Sequence, residues 1–171
     1  MRTELEREYV EYVEGRLHVL KRGAYLLCGD VHRAEDLVQT TITALYQHWP
    51  RARRADNIDG YVHRMLLRKH IDEQRRGWSR VRLMADAPDR TVAPATDVEA
   101  RVALRAALAQ LPRTQRTMLV LRFACDMSVE DVAAALRCSP GTVKSHTSRG
   151  LAALRRLMPL DELMGERHDL G

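Results

Sequence analysis

The sequence is poor in aromatic residues and contains no long apolar run. Only 5% of its 171 residues are aromatic, and a single one is Phe. No apolar stretch approaches the ~20 residues of a membrane-spanning helix. The first 14 residues carry five Glu against two Arg, the reverse of the basic start of a signal peptide. We therefore expect a cytoplasmic protein without a membrane partner.

The sequence also lacks the usual motifs of metal sites and enzymes. Cys28, Cys125 and Cys138 are odd in number and have no CxxC spacing, which predicts reduced thiols rather than disulfides or a zinc site. The seven histidines show neither ligand spacing nor a paired carboxylate motif, so we expect them at the surface or at interfaces. No glycine-rich phosphate loop occurs. We accordingly expect no metal, no cofactor, no small-molecule substrate and no catalytic activity.

Ala, Leu and Arg dominate the composition, a balance that favours amphipathic helices over strands. The formal net charge is +5, which fits a polyanionic partner, although many proteins that never bind nucleic acid are equally basic. The distribution of charge is more informative. Residues 51–82 hold ten cations against four acids, and residues 137–156 hold five cations and no acid. Two separate basic segments predict two separate contacts with a phosphate backbone.

The apolar periodicity predicts three helices within residues 1–76, which we assign to a first domain. The first helix should end at Gly29. The second should be capped by Asp30 and run until Pro50, with a basic loop after it over 51–55. The third should be capped by Asp56 or Asn57.

Periodicity fails over residues 77–95, where two prolines occur, so we expect a flexible linker there. A second domain should follow over 96–160, with a short tail over 161–171. Its first helix has a capping pair in Thr96 and Glu99 and an apolar face that includes Val102. After Pro112, residues 113–123 indicate another helix.

The last two helices have the order typical of a helix-turn-helix: a short helix, a tight turn and a longer basic helix. Ser128 and Asp131 have capping-box spacing before the short helix. Ser139 can cap the longer one, with Pro140 at its first position. The sequence thus predicts an all-α fold of two small domains joined by a flexible linker.

The first turns of the longer helix carry the donor-rich side chains that enter a major groove. With Val143 and Leu151 facing the core, the exposed candidates for base contacts are Lys144, Ser145, His146, Ser148 and Arg149. Ser139 and Thr142 lie where side chains at a helix N-terminus can donate to phosphates. The alternative is a merely solvated basic face, which the combination of cap, turn and charge disfavours.

The third helix and the loop before it form a second candidate contact. Cations on the outer face of an amphipathic helix are commonly just solvated. The loop, however, places side chains that can hydrogen-bond to base edges beside Trp49 and Tyr61. A protein that binds unstacked bases needs such a pocket together with cations. The candidate residues are Arg53, Arg54, Asp56, Asn57, Tyr61, Arg64, Arg68, Lys69, Arg75 and Arg76.

Four segments resemble, in order and spacing, the extracytoplasmic-function sigma factors of the sigma-70 superfamily. They are Ala34-Glu-Asp-Leu-Val-Gln39, Asp56-Asn-Ile-Asp-Gly-Tyr-Val62, Leu111-Pro-Arg-Thr-Gln-Arg116 and Ser139-Pro-Gly-Thr-Val-Lys-Ser145. The similarity spans residues 5–158, and the phrase Tyr25-Leu-Leu-Cys-Gly-Asp30 is similar to a small actinobacterial group. A helix-turn-helix alone would fit many regulators.

The resemblance implies a subunit that binds core RNA polymerase and directs it to promoter DNA. The first domain would melt and capture the minus-10 element, and the second would read the minus-35 element as duplex. Asp36 and Gln39, with Glu35 beside them, would dock on the clamp coiled coil of the large polymerase subunit. From the residues alone, these three only interrupt an apolar helix and could be solvated surface. Whether an anti-sigma factor is a further partner stays open.

Two positions depart from the family pattern. Arg68 stands where Asn is usual in the promoter-melting helix, and His146 stands where Arg is common, so we expect an altered promoter preference at both. Two other functional classes fit parts of the sequence. A self-sufficient helix-turn-helix regulator would bind duplex DNA alone, whereas a sigma factor should do so strongly only with core polymerase. A helical protein-binding adaptor would need neither basic face.

Overall fold

The computed structural model describes residues 2–81 and 98–158, with side chains described for 3–77 and 98–158. These residues form helices without a strand, as the composition predicts. No helix among them is both long and apolar enough to cross a membrane. The helices are α1 (Arg2–Cys28), α2 (Val31–Ala52), α3 (Ile58–Val81), α4 (Val98–Ala109), α5 (Arg113–Leu119), α6 (Val129–Leu136) and α7 (Pro140–Leu157), with a π-helical turn over Val120–Ala124.

The ends of the first three helices confirm the predicted caps. Gly29 ends α1 in a left-handed conformation with φ +71°, which glycine adopts at little cost. Asp30 caps α2 by accepting a hydrogen bond from the backbone N–H of Arg33 at 3.1 Å. Asn57 rather than Asp56 caps α3, since its Oδ1 accepts from the backbone N–H of Gly60 at 2.9 Å.

The end of α2 differs from the prediction, because the helix continues through Pro50 to Ala52. Trp49 and Ala52 are both buried on the core face of α2, and this packing favours another helical turn. Pro50 removes one backbone hydrogen bond, to the carbonyl of Tyr46, a residue that is half exposed and accessible to water. The basic loop therefore starts at Arg53, two residues later than expected.

The two helices that flank the expected linker also differ in detail. Helix α3 continues to Val81, so residues 77–81 are helical, while residues 82–97, including Thr96, lie outside the described part of the chain. In α4 the expectation for Val102 is wrong, since its side chain is 52% exposed. Residues two apart lie about 200° apart around a helix, which puts Val102 opposite Leu104.

Each half of the chain has its own set of fully buried side chains. In the first, Leu20, Leu45 and Leu66 join α1, α2 and α3. In the second, the buried side chains Met118, Leu121, Val132, Val143 and Leu154 come from α5, the π turn, α6 and α7. Burial of this apolar surface is the main stabilising contribution to helix pairs of such length.

The helix expected over residues 113–123 is α5 followed by the π turn. The backbone N–H of Cys125 donates to the carbonyl of Val120 at 3.0 Å, five residues back, which widens the last turn. Phe123 in this turn is 56% exposed. The turn contacts α1, so the two halves of the chain touch there.

Candidate nucleic-acid interface

The predicted helix-turn-helix is present as α6, a three-residue turn and α7. Ser128 caps α6, accepting from the backbone N–H of Asp131 at 3.0 Å. Arg137 ends α6 with φ +55°, a left-handed conformation that costs a non-glycine residue about 1 kcal/mol. This conformation turns the chain sharply, so that only three residues separate the end of α6 from the start of α7.

The N-terminus of α7 is organised by two hydroxyl groups. Ser139 Oγ accepts from the backbone N–H of Thr142 at 3.1 Å and lies 2.8 Å from Thr142 Oγ1. If the Thr142 hydroxyl donates within the pair, the Ser139 hydroxyl proton remains available to a further acceptor. Both residues lie at the N-terminus of α7, and their contact with phosphate stays a prediction.

The predicted base-reading side chains are not equally accessible. Lys144, Ser148 and Arg149 are exposed, whereas Ser145 and His146 are half-buried, so the expectation of five exposed side chains is wrong for these two. His146 lies beside the buried stripe that starts at Val143, and its Nδ1 is buried without a hydrogen-bond partner in the described residues.

Two cations near this surface were missed from the sequence. Arg122 and Arg155 line a cavity of about 330 Å³ together with Lys144, Ser148 and Leu151. On α7 these residues follow steps of four, three and four, so helical periodicity from Lys144 could have identified Arg155. Arg122 lies in the π turn, where it donates to the Met127 carbonyl, and no periodic pattern points to it.

The loop before α3 is less open than the sequence predicts. Arg53 forms a bidentate ion pair with Glu8, in which the Nε–Oε2 distance is 2.8 Å and the Nη2–Oε1 distance is 3.0 Å. Trp49 is only 4% exposed and packs against the rings of Tyr9 and Tyr12 at 5.7 and 5.4 Å. The expectation that Trp49 lines a pocket for bases is therefore wrong, because it continues the buried stripe of α2. Tyr61 remains half exposed.

Asn57 is exposed, but both polar atoms of its amide are engaged. Oδ1 caps α3, and Nδ2 donates to Asp131 Oδ2 on α6 at 3.0 Å. Asp56 and Arg54 beside it are also exposed. The sequence pattern identified Asp131 only as a helix-capping residue and did not show this contact.

The cations of α3 lie on one broad face. Arg68, Arg75 and Arg76 are exposed, while Arg64 and Lys69 are half-buried. Spacings of four and seven residues bring Arg64, Arg68 and Arg75 into line along the helix. A basic stripe therefore extends from the start of α3 toward its C-terminus.

Two histidines are buried, whereas the expectation for all seven was a location at the surface or at interfaces. His63 and His70 are 5% and 4% exposed, and burial lowers the pKa of both. For His70 the pKa falls to about 4, with Arg113, Arg33 and Arg116 adding electrostatic opposition to the charged form. His70 Nδ1 lies 3.7 Å from Cys28 Sγ, and burial raises the pKa of that thiol to about 12. Thus at neutral pH the pair is an uncharged thiol and imidazole, unlike a nucleophilic Cys–His pair.

The three candidate polymerase-binding residues are all exposed on α2. Glu35, Asp36 and Gln39 lie opposite the buried Leu37 and Val38. Asp36 and Gln39 are one turn apart and can be contacted together.

Both halves of the chain match known protein families. Residues 13–80 match Sigma-70 region 2, and residues 101–154 match Sigma-70, region 4. The RNA polymerase sigma-E factor of Streptomyces avermitilis is 36% identical over 154 residues, or 86% of this chain and 83% of that protein. The ECF RNA polymerase sigma factor EcfG of Rhodopseudomonas palustris is 29% identical over 83% of this chain and 80% of its own length. The chain belongs to the extracytoplasmic-function RNA polymerase sigma factors.

A solved structure has the same fold as this sigma factor. The sigma factor RpoE from Bartonella quintana, in complex with the anti-sigma factor NepR, matches with a TM-score of 0.71 and 25% identity, over 88% of this chain and 98% of that one. The resemblance stated from the sequence is confirmed. The sigma factor acts in transcription initiation with core RNA polymerase and promoter DNA as partners, and the stand-alone regulator is not favoured.

Proposed function

We propose that the two domains of this sigma factor divide promoter recognition, with residues 96–160 reading the minus-35 element as duplex and residues 1–76 capturing the minus-10 element. The observation that carries the first half is the capped N-terminus of α7, which presents Lys144, Ser148 and Arg149 to solvent beyond a short turn from α6. Exposed Lys and Arg side chains on the first turns of such a helix can address guanine edges.

The minus-10 half of the proposal is supported by the basic face of α3. Arg68 and Arg75 can neutralise the phosphates of a separated strand, and the half-exposed ring of Tyr61 can stack on a base. Because Arg53 is paired with Glu8, its contribution requires that ion pair to open or to share its charge with a phosphate.

The exposed face of α2 is the proposed polymerase contact, through Glu35, Asp36 and Gln39. We propose no catalytic activity for the chain itself, and the uncharged Cys28–His70 pair supports this. Because the protein acts with RNA polymerase on DNA, we propose that it is located in the cytoplasm. The complex of the Bartonella relative with an anti-sigma factor supports a protein of that kind as a further partner here.

The minus-35 assignment is tested by selecting promoters from a library randomised at that element. The Lys144→Ala/Arg149→Ala holoenzyme should lose preference at one or two positions, since a bidentate base contact discriminates by about 1–3 kcal/mol. The control Arg155→Ala/Arg156→Ala removes the same charge from the same helix and should bind more weakly without changing the preferred sequence. An identical motif from wild type and the Lys144/Arg149 variant would show that α7 is not the reader.

A further inference from the structure

Helix α1 holds both ends of the loop that joins α2 to α3. Glu8 pairs with Arg53, which follows the last residue of α2. Further along α1, Tyr12 donates to Asp59 Oδ1 at 2.8 Å, and Arg16 Nη2 lies 2.8 Å from Asp59 Oδ2 in the first turn of α3. Residues four apart share one face of a helix. A single stripe of α1, formed by Glu8, Tyr12 and Arg16, therefore fixes the loop from both sides.

The backbone and the side chain of Arg53 are both held in place. The backbone N–H donates to the Trp49 carbonyl at 3.0 Å, and the Trp49 ring packs against Tyr9 and Tyr12 of α1. Glu8 holds the guanidinium by two contacts of 2.8 and 3.0 Å, and the Arg53 and Glu8 side chains are only 37% and 35% exposed. The Arg53 side chain has thus lost most of its rotamer freedom before any ligand binds, so binding through it costs little further entropy.

The edge that Glu8 occupies determines which donors of Arg53 remain. Glu8 accepts from Nε and Nη2, which form the side edge of the guanidinium. A guanidinium has five N–H donors, so one hydrogen on Nη2 and both on Nη1 remain. One hydrogen from each of these two nitrogens points away from the end of the group in parallel, as a planar fork. Arg53 therefore offers an oriented pair of donors that matches two adjacent acceptor atoms.

The charge of the ion pair favours a base over a phosphate as the partner of this fork. Glu8 neutralises Arg53 at 2.8 Å, and a neutral pair attracts phosphate weakly, because phosphate binding depends on the cationic charge supplied. Arg54 is exposed, and no acid lies within ion-pair distance of it among the described residues, so a cation for the backbone is already present. A neutral base edge is recognised by the direction of hydrogen bonds, which a fixed fork supplies.

Two parallel donors distinguish between the four bases. Guanine presents the acceptors N7 and O6 side by side. Unpaired cytosine presents N3 and O2 side by side on the edge that base pairing occupies in a duplex. Adenine has an amino donor next to its N7 acceptor, and thymine has an N–H donor between its two carbonyls. The fork of Arg53 therefore matches guanine or cytosine and leaves one donor unpaired against adenine or thymine.

We propose that Glu8 is a positioning residue for promoter recognition: it holds Arg53 so that the end of the guanidinium reads a guanine or cytosine in the separated minus-10 strand. Tyr12 and Arg16 fix the other end of the loop at Asp59, so that the fork has a defined place beside the strand. This inference rests on the proposed capture of the minus-10 element by the first domain, and it names the residue pair that selects a base there.

Promoter selection with holoenzymes tests the role of the pair. A library randomised at the minus-10 element is selected for heparin-resistant open complexes with wild type, Glu8→Ala, Arg53→Ala and the double variant. Wild type should prefer guanine or cytosine at one position by between about fivefold and 150-fold, the range that a bidentate base contact contributes. Each single variant should lose most of this preference. The double variant should lose no more than Arg53→Ala, because Glu8 acts only through Arg53.

Three further variants separate a base contact from a charge effect. Glu11→Ala also removes an acid from α1, but Glu11 is exposed and pairs with Arg7 on the same helix, so the minus-10 preference should not change. Arg53→Lys keeps the charge without the fork and should lose the preference as completely as Arg53→Ala. Arg54→Ala should weaken all promoters alike and reduce the slope of log affinity against log salt by about 0.7. The Glu8→Ala/Arg53→Ala variant removes a neutral pair and should leave that slope unchanged.

Two results would overturn the proposal. If Arg53→Ala loses the preference and Glu8→Ala keeps it, Glu8 does not position the reader. If Arg53→Lys keeps the preference, or the affected position selects adenine or thymine, the fork does not read the base. In both cases Arg68→Ala/Arg75→Ala would still impair promoter opening. Failure of the proposed function is distinct, since the minus-10 motif would then be unchanged in every variant of the first domain, Arg68→Ala/Arg75→Ala included.

Discussion

At the scale of single residues, the helix caps were the most predictable features. Asp30, Ser128 and Ser139 all accept the backbone hydrogen bonds that their spacing indicates. Caps depend on residues three positions apart in the chain, so the sequence contains all the information needed. The burial of His70 and Trp49 depends on helices far away in sequence. The expectation for His70 was a surface or interface location, and the expectation for Trp49 was a pocket for bases.

His70 should make the stability of the protein depend on pH. Its pKa is about 4 in the folded chain and near 6.5 when unfolded, so as pH falls the unfolded chain takes up the proton first. The contribution of neutral His70 to the free energy of unfolding is complete above pH 6.5 and is lost as the pH falls toward 4. At pH 5 the loss is at most about 2 kcal/mol. His70→Gln should reduce the difference in unfolding free energy between pH 7 and pH 5.

The control for this prediction is His48→Gln, since His48 is exposed on α2. Urea unfolding at the two pH values gives the comparison, and buried His63 should leave some pH dependence in every variant. Equal pH dependence in His70→Gln and wild type would show that His70 does not titrate differently on unfolding.

At the scale of helices, periodicity predicted the existence of the elements better than their ends. The core face of α2 was evident from its apolar spacing, but its continuation through Pro50 follows from burial of Ala52 against the rest of the domain. The π turn after α5 was not predictable, since an extra residue in a helical turn leaves no mark on composition. The longer α2 shifts the start of the basic loop, and the π turn contains Arg122, which lines the same cavity as Lys144.

The exposed face of α2 should bind core polymerase. Asp36→Ala/Gln39→Ala removes two exposed hydrogen-bonding groups one turn apart, and affinity for core should fall about tenfold if both make contacts. The fold should be retained, because neither side chain is buried. Competition against labelled wild-type protein measures the change.

A matched control is Glu14→Ala/Gln110→Ala, which also removes one acid and one amide from exposed positions, on α1 and after α4. Its affinity for core should equal that of wild type. If the two double variants bind core alike, α2 is not the docking face.

At the scale of the whole molecule, two basic segments were visible in the sequence, and the cations of both whose side chains the structure describes are exposed or half exposed on helical domains. What the sequence did not show is how these domains meet. The approach of Gly23 to Cys125 and the bond from Asn57 to Asp131 join residues 102 and 74 positions apart. Such contacts depend on the relative placement of two folded units, for which local patterns contain no signal.

The central claim is that two domains make different contacts with one promoter, and separate measurement of duplex binding and strand opening tests it most directly. Filter binding and permanganate reactivity of unpaired thymines are compared for holoenzymes carrying Arg68→Ala/Arg75→Ala, with Arg7→Ala/Lys21→Ala, at two exposed positions of α1, as a charge-matched control. The α3 variant should keep most duplex binding and the minus-35 preference but lose permanganate reactivity, because its cations hold the separated strand. An equal loss of duplex binding and strand opening would contradict this division between the domains.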